Sequence, residues 1–324
     1  MRHPVTFLSI LCISCLFGLK VEAANSHATS ANPAGCYDAA DPHDIRLWDG
    51  PAPGAKGDDP CRDIPHMKVF PAREAKAGSG TAILLIPGGG YDRLTNLKEQ
   101  VPVADYFSQT INATTFLLYY RLVQTDGTYR YPVAMWDGQR ALKLIRSRAR
   151  EFGIDPKRIG MFGFSAGGHL SSTLALHADS DFKLPKRDAV DATDARPDFL
   201  GLGYAVISMN PEQYGKSYSH DNLLNGFHGT ELTDLEKYLS AQDHVTEHTP
   251  PVFLFVSLDD QRINPQNSVM FAQALKAANI PVEAHMFEHG AHGVGLATNM
   301  TEEHVWPEMF HHWLEQQHFL PQPD

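Results

Sequence analysis

One serine lies between two glycines at the spacing that is typical of a nucleophilic serine on a tight turn. Ser165 lies in the Gly-x-Ser-x-Gly pattern of residues 163–167, after an apolar run at 159–162 and before a helical pattern at 169–176. On a sharp turn between a strand and a helix, a serine hydroxyl is raised above the sheet, and flanking glycines let the two elements approach closely. The pattern is short enough to occur by chance. The prediction of a nucleophile therefore depends on the groups that accompany it.

An acyl-transfer serine needs a general base and a carboxylate that orients the base. Asp259 and Asp260 directly follow an apolar run at 252–256, and His292 lies in a Gly-Ala-His-Gly loop after a predicted strand at 282–288. The chain order Ser, Asp, His is that of α/β-hydrolases. The carboxyl ends of strands are also where an open α/β sheet binds ligands. These residues therefore predict a catalytic triad.

Each partner has a competitor in the sequence. Asp260 is preferred to Asp259 because the sequence after it is similar to a hydrolase loop in which an apolar residue, three positions later, packs beneath the sheet. His292 is preferred to His289 because glycines on both sides free its loop to aim the imidazole. We interpret His289 as a solvated loop residue, and His169, one turn into the helix after the serine, as a packed or capping residue.

Backbone donors for an oxyanion are predicted in the glycine-rich loop at 87–91, directly after an apolar run. Consecutive glycines let N–H groups approach a substrate oxygen. Gly89, Gly90 and the N–H of Ala166, which follows the nucleophile, are the predicted donors, with Tyr91 as an additional one. A phosphate-binding loop would need Lys and Ser or Thr after the glycines, and a dinucleotide fingerprint would need a third glycine. Neither is present, and we expect no cofactor.

Composition narrows the function further. The 324 residues carry a formal net charge of -11, and no basic stripe is available to neutralise phosphates, which argues against a nucleic-acid partner. The 17 histidines are scattered without the spacing of metal ligands, so no metal site is predicted.

The first residues resemble a secretory signal, with Arg2, an apolar run at 5–19 and small residues before a cleavage site after Ala23. The run is shorter than the roughly 18 residues of a spanning helix, so no stable membrane insertion is expected. Removal of residues 1–23 leaves two of the four cysteines, Cys36 and Cys61. In a secreted or periplasmic protein, this pair predicts a disulfide.

Apolar runs alternate with helical patterns over most of the chain. The predicted strands are at 81–86, 115–120, 159–162, 200–207, 252–256 and 282–288, and the predicted helices at 101–109, 132–152, 169–176 and 267–278. Runs without polar alternation fit strands that are covered on both faces. The pattern predicts an α/β-hydrolase fold, a doubly wound and mostly parallel sheet with helices on both faces.

After the predicted signal peptide, the sequence predicts an N-terminal arm and one domain that contains an insertion. Residues 24–66 form an extended N-terminal arm, and residues 67–320 form one α/β-hydrolase domain. Residues 210–251 form an insertion with one short helix, at 234–240. The insertion is either a lid beside the site or a surface excursion.

Further segments make the sequence resemble one branch of the α/β-hydrolases. They are the loop at 87–91, Lys98-Glu99, Tyr120-Arg121-Leu122, and residues 137–141, 154–160 and 163–170. The chain resembles the secreted acetylxylan-esterase-like branch, which includes bifunctional feruloyl and acetylxylan esterases. With Leu47-Trp48 and two proline-containing segments, at 51–55 and 249–251, the likeness covers residues 45–317.

The resemblance implies a secreted serine carboxylesterase that removes acetyl groups from plant cell-wall polysaccharides or oligosaccharides such as acetylated xylan, without a metal. Position by position, Ser165 is similar to the family nucleophile, Asp260 to its acid and His292 to its base. The chain departs from the family at Asn264, where many relatives have proline. Some members are labelled xylanases, but glycosidases need a pair of carboxylates beside a sugar cleft, and this architecture predicts none.

Other functions stay open from the sequence. The chain could hydrolyse feruloyl or other carboxylic esters, act as a serine peptidase of the same fold, or be a silent binding protein, although such a protein would normally have lost a triad member. Four aromatic residues could stack on sugars or pack in the core, and core packing is the preferred use. They are Tyr91, Tyr204, Trp136 and Trp306.

Overall fold

The most apolar segments of the chain form a single sheet of eight strands. The computed structural model describes residue 1 and residues 35–74, 80–95 and 97–321. The strands are β1 Asp44–Arg46, β2 His66–Phe70, β3 Gly80–Ile86, β4 Thr114–Tyr119, β5 Ile154–Phe164, β6 Leu200–Gly203, β7 Val252–Ser257 and β8 Val282–Phe287. All of them lie in the unit Pro33–Asp324. The predicted signal peptide lies outside the described residues, apart from Met1.

The strand order is β1-β2-β4-β3-β5-β6-β7-β8. β2 is antiparallel to its neighbours β1 and β4, and every pair from β4 to β8 is parallel. The carboxyl ends of the six parallel strands therefore lie along one edge of the sheet, where an α/β fold binds its ligands.

Alternation along the central strands divides the core between the two faces of the sheet. In β3, Leu84 and Ile86 pack in one buried cluster, whereas Ile83 and Leu85 pack in the other. Because both sets are buried, the strand sequence is continuously apolar, as the sequence pattern predicted.

Seven α-helices are found in the described residues. They are α1 Val101–Gln109, α2 Val133–Ser147, α3 Ser165–Leu176, α4 Tyr218–Leu223, α5 Gly229–Tyr238, α6 Gln266–Ala277 and α7 Trp306–Gln316. α2, α3 and α6 contribute to the first core cluster, while α1 and α7 contribute to the second. The helices therefore cover both faces of the sheet. No helix among the described residues combines the length and apolar content needed to cross a bilayer.

The structure shortens the predicted strand at 200–207. β6 ends at Gly203, and Tyr204 has a φ of 36°, outside the strand region. The apolar residues that follow are buried as a loop, with Val206 N donating to the carbonyl of Ser165 at 3.1 Å. An apolar run shows that residues are buried but does not distinguish a buried loop from a strand. The predicted strand was therefore longer than β6.

The described part of the predicted arm, residues 35–66, is packed onto the domain and is not extended. Inside it, β1 adds to the sheet edge, and a disulfide joins Cys36 to Cys61. Buried Arg140 of α2 donates Nε to the carbonyl of Leu47 at 2.7 Å, and Trp48 packs beside the same guanidinium. These bonds to buried groups hold the segment, and the polar, proline-rich composition gives no sign of them.

The predicted insertion contains two helices instead of one. α4 lies outside the predicted helical stretch, and α5 begins at Gly229, before it. The two helix starts differ in their capping. Ser217 caps α4 by accepting from His220 N at 3.3 Å, whereas His228 before α5 makes no side-chain cap.

Candidate active site

The turn between β5 and α3 presents Ser165. β5 ends at Phe164, α3 begins at Ser165, and Ser165 has a φ of 51°. A side chain other than glycine rarely adopts this left-handed conformation, so tight surroundings must impose it. A Cβ at Gly163 would lie 2.3 Å from the carbonyl oxygen of Gly167, and one at Gly167 would lie 2.1 Å from that of Ile86. The two glycines therefore permit the close approach that imposes the turn.

The structure brings the three predicted triad residues together. His292 Nε2 lies 2.9 Å from Ser165 Oγ, and His292 Nδ1 lies 2.7 Å from Asp260 Oδ2. The other carboxylate oxygen of Asp260 accepts from the backbone N–H groups of Arg262 and Ile263, at 2.8 and 3.0 Å. These bonds fix the carboxylate in its loop after β7. The arrangement can accept a proton from the serine hydroxyl and stabilise the imidazolium that results.

Asp259 and His289 occupy different positions from the triad. Asp259 Oδ1 accepts from Gly290 N at 2.9 Å, and its Oδ2 lies 3.4 Å from His289 Nδ1. Both side chains are exposed, and this contact joins the loops after β7 and β8 at the surface. The geometry therefore distinguishes the two neighbouring aspartates, whereas the sequence alone provided only a preference for Asp260.

His169 is a fully buried core residue. Its Nδ1 lies 2.6 Å from the hydroxyl of Tyr91, and its Nε2 lies 2.9 Å from the carbonyl oxygen of Leu239. Burial lowers the pKa of His169 to about 4. Its ring therefore stays neutral at ordinary pH and links the start of α3 to the end of α5.

The glycine-rich loop after β3 borders Ser165. Gly89 and Gly90 have φ values of 121° and 67°, and both line the cavity that contains the serine. A Cβ at the preceding Gly88 would lie 2.8 Å from Cβ of Ser165, so the loop needs glycine to approach this closely. Ala166 follows the serine in the first turn of α3 and is fully buried. The three predicted donors therefore lie around the serine.

Glu99 lies at the site, although the sequence analysis predicted no role for it. Its buried carboxyl accepts from Gly88 N at 2.8 Å and from the hydroxyl of Tyr204 at 2.9 Å. The same hydroxyl accepts from Gly295 N at 3.1 Å, and the Tyr204 ring packs edge-on against His292. Burial raises the pKa of Glu99. This carboxyl therefore connects the glycine-rich loop to the histidine loop.

A signal for Glu99 exists in the sequence, but it is weak. Lys98-Glu99 is one of the segments that carry the family resemblance, yet an acidic residue at the start of a helical region is ordinarily a solvated one. Only the fold shows that the carboxyl is buried and bonded to a loop eleven residues earlier.

The cavity at the site has a volume of about 420 Å³. Besides the catalytic groups, its lining includes Arg93, Arg262, and the α4 residues Tyr218 and Ser219. α4 also contacts the glycine-rich loop, because Asn222 Nδ2 donates to the carbonyl of Gly90 at 2.7 Å. The insertion therefore forms a wall of the site.

None of the four aromatic residues proposed for sugar stacking is among those that line this cavity. Tyr91, Tyr204 and Trp306 are buried in the core clusters. Trp136 packs against the core and donates Nε1 to the carbonyl of Phe182 at 2.9 Å. The preferred interpretation as packing residues agrees with these positions. Among the described side chains, no group of three or more His, Cys, Asp or Glu is placed to hold a metal ion.

The mostly parallel sheet, the strained serine turn and the Ser, Asp, His order define an enzyme of the α/β-hydrolase class. Solved structures agree. An acetyl ester-xyloside bifunctional hydrolase from Caldicellulosiruptor lactoaceticus is 34% identical with a TM-score of 0.74, over 86% of this chain and 97% of that one. An esterase from Thermogutta terrifontis, 23% identical, shares the fold with a TM-score of 0.66 over 84% of this chain and 97% of its own.

The particular family is given by the sequence match. The BD-FAE family model matches residues 69–275, and the chain belongs to this family. It is 33% identical to endo-1,4-beta-xylanase B of Butyrivibrio fibrisolvens over 67% of this chain, and 31% identical to the acetylxylan esterase of Xylanibacter ruminicola over 68%. The matches cover 33% and 42% of those two proteins, so the chain spans less than half of either.

Proposed function

We propose that this protein is a secreted carboxylesterase that removes acetyl groups from plant cell-wall polysaccharides or oligosaccharides such as acetylated xylan. The observation that carries the proposal is the chain of hydrogen bonds from Ser165 Oγ through His292 to Asp260, beside a cavity that Ser165 and His292 line. A hydroxyl, an imidazole and a carboxylate in this geometry are the parts of a serine acyl-transfer mechanism.

In the proposed first half-reaction, Ser165 Oγ attacks the acetyl carbonyl while His292 Nε2 takes the hydroxyl proton. Asp260 holds the imidazole by its Nδ1 proton and stabilises the imidazolium. The tetrahedral intermediate collapses, the bond between the carbonyl carbon and the sugar oxygen breaks, and His292 gives its proton to that oxygen, which leaves as the sugar hydroxyl. The acetyl group stays on Ser165.

The second half-reaction uses water as the nucleophile. His292 takes a proton from water, the hydroxide adds to the acetyl-serine carbonyl, and the serine oxygen leaves with the proton from His292. In both intermediates, the negative oxygen is proposed to accept from the N–H groups of Gly89, Gly90 and Ala166. One such donor contributes about 10²–10³-fold to turnover in other serine hydrolases.

Similarity supports the substrate class. One relative is an acetylxylan esterase, and the 34% identical structure is an acetyl ester-xyloside hydrolase. A volume of about 420 Å³ exceeds what an acetyl group needs, which leaves space for part of a sugar. Feruloyl esters are the second candidate, because a cavity of this size also admits a larger acyl group.

Export is part of the proposal. The signal-like sequence of residues 1–23 and the disulfide between Cys36 and Cys61 support an oxidising compartment, outside the cell or in the periplasm.

Acetate release from acetylated xylo-oligosaccharides, measured for the native chain and for Ser165→Ala, tests this function. We expect the substitution to lower kcat by on the order of 10⁶-fold, as in other serine triads. Ser147→Ala, which removes an exposed hydroxyl at the end of α2, should leave kcat unchanged. A folded Ser165→Ala protein that retains substantial esterase activity would contradict the mechanism. A strong preference for acyl chains above about eight carbons on p-nitrophenyl esters would contradict acetyl specificity, since a deacetylase pocket fits a short acyl group.

A further inference from the structure

The ionic groups exposed in the active-site cavity are arginines, although the chain has a net charge of -11. Arg93 lines the cavity from the loop after β3, and Arg262 lines it from the loop after β7. The acidic residue in the lining, Glu99, is fully buried and bonded to Gly88 N and Tyr204. The charge presented to a substrate is therefore positive.

Both arginines are attached directly to the catalytic machinery. Arg262 N donates to Asp260 Oδ1 at 2.8 Å, and Arg93 N donates to the carbonyl of Gly89 at 3.3 Å. Their backbones are therefore held in fixed positions relative to the triad and to the glycine-rich loop. A group that these side chains contact would therefore lie in the same cavity as Ser165 and His292.

The two guanidinium groups differ in their surroundings. Arg93 stacks over the ring of Tyr218, 5.2 Å from its centroid, and its Nη1 lies 3.2 Å from Asp92. In the described part of the chain, no carboxylate lies within salt-bridge distance of Arg262. Arg262 is thus the stronger anion-binding group, and Arg93 is the secondary one.

We propose that this cavity binds a carboxylate on the sugar portion of the substrate, so that the preferred ester is an acetylated glycan that carries a uronic acid. Guanidinium groups match a carboxylate in charge and in bidentate geometry. The acyl portion is a neutral acetyl group in the proposed function, on which this inference depends. The anion must therefore belong to the alcohol that leaves.

The test compares two acetylated xylo-oligosaccharides of equal length and acetyl position, one neutral and one with a glucuronic acid side group. We expect the native enzyme to have a kcat/KM about two- to fivefold higher for the acidic substrate, mainly through a lower KM, because a partly exposed ion pair contributes modestly. Since exposed charges are screened, 0.5 M NaCl should reduce this ratio.

Within each variant, the ratio of the two kcat/KM values cancels any loss common to both substrates. Arg262→Ala should bring the ratio close to one, and Arg262→Lys should keep part of it. Arg150→Ala, which removes an exposed guanidinium outside the cavity lining, should keep the native ratio. A native ratio of one, or a ratio that survives in the double variant Arg262→Ala with Arg93→Ala, would overturn the inference. If the native enzyme hydrolyses both substrates equally well and Ser165→Ala abolishes both activities, the proposed esterase function stands and only the uronic-acid preference fails. The two failures are therefore distinguishable.

Discussion

Substitution of Glu99 by leucine tests whether a buried carboxyl holds the oxyanion loop in place. The carboxyl accepts from Gly88 N, one residue before the proposed oxyanion donors Gly89 and Gly90. Through Tyr204 it also reaches Gly295 in the histidine loop. Leucine is similar in size but accepts no hydrogen bond, so both loops lose their shared partner.

The magnitude follows from the two bonds that Glu99 accepts. A buried N–H at Gly88 and a buried O–H at Tyr204 would lose their acceptor, which costs about 1–3 kcal/mol each in the free energy of unfolding. The glycine N–H groups would be displaced but not deleted, so we expect kcat to fall about 100-fold, at the lower end of the cost of losing one donor. KM should change little, because the oxyanion forms only after the substrate is bound.

The assay is steady-state hydrolysis of p-nitrophenyl acetate, at a temperature where circular dichroism shows the variant folded. Glu99→Gln keeps an oxygen acceptor for Gly88 and an N–H donor toward Tyr204, so its kcat should stay within about tenfold of the native value, the effect of one weakened hydrogen bond. Asp198→Asn is the control. It changes a half-buried carboxylate outside the cavity lining, which accepts from Ile159 N in the middle of β5 at 2.9 Å. It should lower stability without lowering kcat. A folded Glu99→Leu enzyme with native kcat, or with an effect on KM alone, would refute the role.

Three further predictions use different parts of the structure. Asp260→Asn should lower kcat for p-nitrophenyl acetate about 10⁴-fold by favouring the wrong imidazole tautomer, whereas Asp259→Asn should change it less than about tenfold; equal losses would contradict the assignment. Because burial lowers the pKa of His169 to about 4, only the unfolded chain binds this proton between about pH 6.5 and 4, and stability should fall on acidification through that window by on the order of 3 kcal/mol. Urea unfolding of His169→Gln should show a shallower pH dependence, and an unchanged slope would count against it. Replacing Cys36 and Cys61 together by serine should cost about 3 kcal/mol, for a sequence separation of 25, and lower the melting temperature while kcat at 25 °C is retained; an unchanged melting temperature would exclude this contribution.

Local patterns were sufficient for much of the fold. Helix α1 coincides with the predicted range 101–109, and the fully buried strands were visible as continuous apolar runs. The prediction was wrong where buried apolar residues do not form a regular strand or where a polar segment packs onto the core. β6 ends at Gly203 although the next residues are equally apolar, and residues 35–65 pack onto the domain although their composition indicated an extended arm.

The sequence by itself determined the serine turn and the order of the three groups proposed for catalysis. Glycine spacing around Ser165 and the residues after each strand are local properties, so they can be read directly from the chain. Tertiary structure decided what depends on distances between segments far apart in sequence. Asp260 and not Asp259 faces His292, Glu99 lies beneath the glycine-rich loop, and α4 forms a wall of the cavity. The physical reason is that neighbouring carboxylates have identical local chemistry, and only packing determines which one is buried against an imidazole and which one faces water.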